Sequence, residues 1–302
     1  MSTVGSGTFE LDAATQLAHA LAATIARGLG VRALSLKGPI ASHYELRPPR
    51  ASADADVLIE PERFAEYCEA LESRGWHTRV GRETPALIPQ HSMTYIHPDW
   101  PCDIDVHWMF PGFFADPAAA FDALWSSRKQ VSVAHSPVQA PSKAGSAVIM
   151  ALHAERDRRS PKHIEERELV SAALSDIFTA GERDEFMTIA RAGRAAWTLR
   201  DYIVAADLGP VVIDADADQQ RRWALFSNRV DDASSVAWWQ RVRTSPWPQK
   251  ARWILRAIWV SRKDMPRNDP ATLPSRNEMW SYQVHRWRRG SRATLRYFRD
   301  KR

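Results

Sequence analysis

In the stretch RASADADVLI, residues 50–59, two aspartates, Asp54 and Asp56, stand two positions apart and run straight into Val57-Leu58-Ile59. Polar and apolar residues alternating at period two read as a β-strand, and on a strand positions i and i+2 share a face. The Cα atoms of the two aspartates are then roughly 6.5 Å apart. Like charges that close repel each other, and a strand entering a core gains nothing structural from the pair. A chain that carries it needs something to offset the repulsion, and a divalent cation between the carboxylates does so.

Around this strand, residues 1–138 alternate helical and strand patterns. Leu11, Ala14, Leu17, Leu21 and Ile25 recur at helical spacing, and Gly28 and Gly30 close that helix. ALSLK, residues 33–37, reads as a short strand; Gly38 supplies a turn and Pro39 the first position of a helix running through His43. After the aspartate strand, Pro61 opens a helix with Phe64, Cys68 and Leu71 on one face and Gly75 at its end. SMTYIHPDWPCDIDVHW, residues 92–108, reads as a hairpin with two alternating arms. Asp116-Pro117 starts a short helix, and KQVSVAH adds a last strand to the sheet. From Ser142 onward the pattern is helical, over about 143–158, 163–180, 183–193, 195–208, 217–229 and 248–260. The expected fold class is α+β: a small mixed-sheet domain over 1–138, a mainly helical domain over 139–263, and a Pro-rich connector with a basic tail over 264–302.

Composition narrows the function classes. With 44% hydrophobic and 25% charged residues in 302, the chain has material for ordinary cores and is not a disordered polymer. The segment MSTVGSGTFELDAATQ lacks a basic leader region and is not expected to act as a signal peptide. No apolar run approaches the ~18 residues of a membrane span. Cys68 and Cys102 show no metal-ligand spacing and read as reduced thiols of a cytoplasmic protein.

Charge is unevenly placed. Residues 283–302 hold seven Arg and one Lys against one Asp, a net of +7 in a chain of net +5, so the remaining 282 residues carry −2. Trp287, Tyr297 and Phe298 are interleaved with those arginines. Such mixing fits stacking and phosphate contact on RNA, a membrane surface or an acidic peptide, and equally an amphipathic helix docked on the body. The near-neutral body favours a small-molecule or peptide partner.

Mg²⁺ prefers oxygen ligands and is usually held by one or two carboxylates together with substrate phosphates. A phosphate-holding element is expected close by, and LSLKGPI provides one. Gly38, at a strand-to-helix turn, lets a phosphate approach the backbone, and Lys37 adds a point charge. In CDIDVHW, Asp103 and Asp105 alternate with apolar residues on a second strand, and one of them supplies a third carboxylate; Asp105 is the preferred one. Three carboxylates on adjacent strands suit two Mg²⁺ ions about 3.5–4 Å apart, and the third can also draw a proton from an attacking hydroxyl. His107 shares a face with Asp105 and either lines this pocket or serves as a structural histidine. Arg50 either reaches a phosphate or pins the loop ahead of the aspartate strand.

A turn with Gly, a strand bearing D-x-D and a later strand with a third acidic residue together resemble the nucleotidyltransferase fold shared with DNA polymerase beta. More narrowly, LKGPIASHYELRPPRASADADVLI resembles the lysine-glycine subfamily of uncharacterised bacterial nucleotidyltransferases, through Leu36, Lys37, Gly38, Tyr44, Arg50, Asp54, Asp56 and Leu58. Asp105, Val106, His107 and Trp108 are similar to its later acidic-h-His-Trp motif, and the helix MALHAER puts His153 in view. The resemblance spans roughly residues 30–175. Lys37-Gly38 stands where the wider superfamily has Gly-Ser, and Ala53 where a Gly is common. The charged AERDRRSPKH after His153 departs from the family and leaves the role of that helix open.

What the resemblance implies is transfer of a nucleoside monophosphate from an NTP to a hydroxyl-bearing small molecule, peptide or protein, with release of pyrophosphate. Asp54, Asp56 and Asp105 are the expected catalytic metal ligands, and Lys37, Gly38, Arg50 and His107 the expected nucleotide-binding residues. A toxin-like enzyme acting on tRNA is the alternative, and a catalytically decayed nucleotide-binding scaffold of a biosynthetic assembly a second one.

Overall fold

The computed structural model describes residues 10–79, 90–158, 160–227, 238, 242–243, 245–262, 264–265 and 273–299. By its contacts the chain divides into two compact units. The first comprises residues 1–78, 91–156 and 161–220, and the second 79–90, 157–160 and 221–302.

The first unit is built on a five-stranded mixed sheet of order β1-β2-β5-β4-β3. Its strands are β1 (Ala33–Leu36), β2 (Asp54–Ile59), β3 (His77–Thr78), β4 (Ser92–Ile96) and β5 (Asp103–His107). Only β2 and β5 are parallel; β1–β2, β3–β4 and β4–β5 are antiparallel. The expected hairpin of residues 92–108 is therefore β4–β5. KQVSVAH does form a strand, β6 (Lys129–Val133), but not in this sheet. It pairs with β7 (Ser136–Ala140) in a separate hairpin. Its turn residues Ala134 and His135 both have positive φ, 48° and 57°. This geometry usually calls for Gly or Asn, so the sequence carried no turn signal there.

Alternation along β2 and β5 sorts their side chains onto two cores. Ala55, Val57, Ile59, Ile104 and Val106 pack under α1 (Leu11–Leu29) and α3 (Phe64–Glu72). On α1 the buried line is Ala14, Ala18, Ala22 and Ile25, whereas Leu11 and Leu17 are more than a third exposed. Of the expected face Ala14 and Ile25 are buried and Leu21 packs partly against the core, while Ala18 and Ala22 are buried where Leu11 and Leu17 are not. Gly30 closes α1 at φ 64°, the left-handed cap a glycine favours.

The opposite sheet face, with Leu34, Leu36 and Leu58, packs on α4 (Pro117–Ser126), α5 (Lys143–Ala154), α6 (Pro161–Ala172), α7 (Ala180–Ala192) and α8 (Arg200–Ala205) in one continuous core. Helix α5 is buried from Ala144 through Leu152, as a helix apolar on all sides must be. β7 runs to Ala140, and α5 shares its core with β1 and β2. The expected helix over 163–180 is α6 followed by a π-helical turn at Ala173–Ile177.

Helix α9 (Ala217–Ser227) passes from the first unit into the second, which also holds α10 (Trp247–Ile258) and α11 (Arg276–Arg299). The basic segment is helical as far as it is described, and its start is docked. Gln283 Nε2 donates to Val260 O at 2.8 Å and Trp287 Nε1 to Ile258 O at 2.8 Å, with Trp259 edge-on to Trp280. Trp287 is thus docked against Ile258, as expected for an amphipathic helix packed on its neighbours. The side chains of Tyr297 and Phe298, residues 266–272 of the connector and residues 300–302 of the tail lie outside the described residues. Among the described residues no helix is long and apolar enough to cross a membrane. Cys68 and Cys102 are free and buried.

Candidate active site

The parallel pairing of β2 with β5 sets Asp54 beside Asp103, Asp56 beside Asp105 and Leu58 beside His107. All four carboxylates therefore point to one face of two neighbouring strands. The oxygens of Asp56 and Asp105 and a ring nitrogen of His107 lie within 4.8 Å of one another. Asp56 is buried, and its Oδ1 meets Lys37 Nζ at 2.6 Å and His107 Nε2 at 3.0 Å. Burial works against its charge, but the Lys37 ammonium and the His107 ring outweigh it and hold the carboxyl well below the usual range.

Asp54 behaves oppositely. Burial pushes its carboxyl up to about 6, the Asp56 charge adds to the rise, and Lys37 only partly opposes it. Asp105 Oδ1 is buried without a hydrogen-bond partner. The face thus holds more negative charge than its own cations satisfy, which is the condition an oxygen-seeking cation relieves.

Lys37 reaches Asp56 because of its backbone. Its φ of 52° and the 41° of Gly38 fold β1 sharply into α2 (Gly38–His43). At Gly38 a Cβ would stand 3.2 Å from His19 Nε2 and 3.6 Å from Ser52 Oγ, so the turn is crowded from beneath as well as strained. The loop before Asp54 is tied on three sides. Arg47 Nη2 donates to Ser52 Oγ at 3.0 Å, Thr15 Oγ1 donates to Ser52 O at 2.8 Å, and Arg50 Nη2 meets Glu166 Oε1 at 2.8 Å. A cavity of about 330 Å³ beside this loop is lined by Asp12, Thr15, Pro39, Ser42, Arg50 and Ser52, and none of the four strand aspartates borders it.

The structure sorts the expected site residues. Asp54, Asp56, Asp103, Asp105 and Lys37 converge on one face. His107 belongs to the same cluster; it is 2% exposed and its Nε2 lies 3.0 Å from Asp56 Oδ1. Arg50 is ion-paired with Glu166 of α6, a contact of the kind expected for pinning the loop. Trp108 packs edge-on against Phe64 at 4.8 Å. His153, whose role was open, hydrogen-bonds Glu166 Oε2 through Nδ1 at 2.9 Å.

Two neighbours were missed. His19 is fully buried under the Lys37-Gly38 turn with neither ring nitrogen hydrogen-bonded, and burial pushes its pKa down to about 4 against the pull of Asp56. Arg156 approaches His91 Nε2 at 3.3 Å, and the charges of Asp56 and Asp105 act on it. His19 sits in an alanine-rich helix with no motif, and Arg156 closes the MALHAER segment, where only His153 drew notice.

The family described as uncharacterised nucleotidyltransferases matches residues 9–202, well over half of the chain. The chain belongs to that family. As a nucleotidyltransferase of this family it resembles several solved structures. The solution structure of the antibiotic-resistance factor ANT(2'')-Ia is 18% identical, covers 63% of this chain and 95% of its own, and gives a TM-score of 0.40. An antigenic nucleotidyltransferase-like protein from Paracoccidioides brasiliensis is 14% identical over 63% and 92%, with a TM-score of 0.39. The lincosamide antibiotic adenylyltransferase LnuA, bound to lincomycin, is 13% identical over 59% and 96%, with a TM-score of 0.33. No curated protein matches the chain in sequence.

Proposed function

We propose that this nucleotidyltransferase moves a nucleoside monophosphate from an NTP to a hydroxyl of a small-molecule or peptide acceptor, releasing pyrophosphate, and that it does so with Mg²⁺ on the β2–β5 face. The observation that carries the reading is the register of β2 against β5, which gathers Asp54, Asp56 and Asp105 while leaving Asp105 Oδ1 unpartnered. The donors are oxygens crowded on one face, which fits Mg²⁺. Asp54, Asp56 and Asp105 would hold two such ions, and these would neutralise charge on the triphosphate and on the leaving pyrophosphate.

The chain's own residues do the rest. Lys37 and the Gly38 turn would bind the phosphates, Lys37 through its charge and the turn through the backbone N–H groups that open α2. His107 fixes the orientation of Asp56. Asp105 would take the proton from the acceptor hydroxyl as it attacks the α-phosphorus. Catalysis is then mostly positioning and electrostatics, and few side chains need to react. Helices α5 to α8 would form the wall that selects the acceptor.

Calorimetric titration of each of the four NTPs, in Mg²⁺ and in EDTA, tests this on the parent and on Asp54→Asn/Asp56→Asn. The reading expects Mg²⁺-dependent binding of one NTP that is lost in EDTA and in the variant. Binding that survives both would remove the carboxylates from the nucleotide site.

A further inference from the structure

A second cluster of ligating side chains lies in the first unit and shares no residue with the carboxylate face. His153 ends α5, and Pro161 opens α6, placing His163 in its first turn and Glu166 one turn later. Spaced i and i+3, His163 and Glu166 share a face of α6. One ligand atom from each of His153, His163 and Glu166 lies within 4.8 Å of the other two. His153 Nδ1 and Glu166 Oε2 are already 2.9 Å apart, and the two imidazoles meet edge-to-face with centroids 4.8 Å apart.

We propose that His153, His163 and Glu166 form a second metal site, selective for a divalent transition ion of the Zn²⁺ class. Ligand atoms about 2.0–2.1 Å from a tetrahedral Zn²⁺ are separated from one another by about 3.3 Å. The pair at 2.9 Å needs almost no movement, and the third ligand closes by at most about 1.5 Å, within reach of a χ adjustment. Two imidazoles and one carboxylate suit Zn²⁺ over Mg²⁺, which takes oxygen donors. Three protein ligands leave one position for water or a substrate group.

The support around the site is also what a metal centre requires. Glu166 is 2% exposed, and its other oxygen accepts from Arg50 Nη2 at 2.8 Å, which fixes the plane of the carboxylate. Arg50 stands four residues before Asp54. An ion at this cluster would fasten the α5–α6 corner to the loop that leads into the nucleotidyl face, without sharing a ligand with that face.

The site is tested on the full chain by titration with Co²⁺ in excess Mg²⁺, following the visible absorption of four-coordinate Co²⁺, and by displacement with Zn²⁺. The expected result is a single Co²⁺ per chain, displaced by Zn²⁺ and not by Mg²⁺. His163→Gln, at a half-buried helix position where the fold tolerates it, should weaken binding about 100-fold or more. Asp56→Asn/Asp105→Asn should bind Co²⁺ as the parent does, which separates this site from the nucleotidyl face. Absence of a four-coordinate spectrum in the parent, parent-like affinity in His163→Gln, or loss of the ion in Asp56→Asn/Asp105→Asn would each overturn the assignment. None of these outcomes bears on whether the carboxylate face binds NTP.

Discussion

Replacing Lys37 by Met removes the charge nearest Asp56 while keeping an unbranched side chain of similar length. In the parent, Nζ lies 2.6 Å from Asp56 Oδ1, with side-chain exposures of 13% and 5%. At an effective dielectric of about 20, unit charges at that distance attract by about 6 kcal/mol before desolvation is counted. The desolvation of Asp56 is not recovered in the variant, because its carboxylate remains buried and retains only His107. Breaking one side of such a pair costs about 3–5 kcal/mol. The lower figure applies here because Lys37 keeps some solvent and His107 stays at 3.0 Å. In EDTA the variant should therefore unfold at a temperature roughly 6–12 °C below the parent.

The same substitution has a second consequence of opposite sign. With Lys37 gone, Asp54, Asp56 and Asp105 face one another with less counter-charge, so Mg²⁺ should raise the unfolding temperature of the variant more than that of the parent. Thermal unfolding followed by tryptophan fluorescence, in EDTA and in Mg²⁺, reads both effects. A variant as stable as the parent in EDTA would refute the buried-pair account. Equal Mg²⁺ increments in the two proteins would refute the placement of the ion on this face.

Three further outcomes follow from the geometry. Because the Asp54 carboxyl is raised to about 6, protons compete with Mg²⁺ below that pH, and apparent Mg²⁺ affinity should be about tenfold weaker at pH 5 than at pH 7; calorimetry giving one affinity at both would exclude Asp54 as a ligand. His19, depressed to about 4, contributes stability that is present above about 6.5 and lost as pH falls towards 4; at pH 5 the loss is about 2 kcal/mol. His19→Leu should lack that component, so denaturant unfolding at pH 7 and pH 5 should show the parent losing more, and parallel losses would refute it. At Gly193 an added Cβ would come within 2.1 Å of Phe113 Cδ1, so Gly193→Ala should cost about 1–3 kcal/mol in thermal unfolding, and parent-like stability would show that Phe113 moves aside freely.

What the sequence made legible was local. The period of DADVLI and DIDVH, the glycine and proline around Lys37 and the glycine closing α1 each announce their conformation within a few residues. The parallel pairing of β2 with β5 is a long-range fact that no local pattern in the chain announces. The β6–β7 hairpin escaped because its turn uses Ala134 and His135 where small or amide residues normally signal the geometry. On α1 the expected face held at Ala14 and Ile25 and failed at Leu17: hydrophobicity ranked Leu17 above Ala18, yet Ala18 is the fully buried one. Ion pairing was invisible altogether, since no pattern in the chain links Arg50 to Glu166, or Lys37 to Asp56, before the fold brings them together.

Those pairings bear on what the carboxylate face can accept. A face built for structure alone would match each buried charge, because an unmatched one costs several kcal/mol. Here matching is uneven. Asp56 has a lysine and a histidine on a single oxygen, whereas Asp54 is driven towards protonation and Asp105 leaves an oxygen buried without a partner. Moving Lys37 between the strands does not repair this, since one ammonium cannot reach three carboxylates on two strands. A divalent ion can, because it carries twice the charge and coordinates in several directions at once. The imbalance is therefore of the kind that binding corrects, and Lys37, displaced from Asp56 by such an ion, would be released beside the Gly38 turn where triphosphate oxygens are expected. Lys37→Ala should accordingly weaken triphosphate binding more than monophosphate binding, and equal losses in titration would show that the lysine serves Asp56 alone.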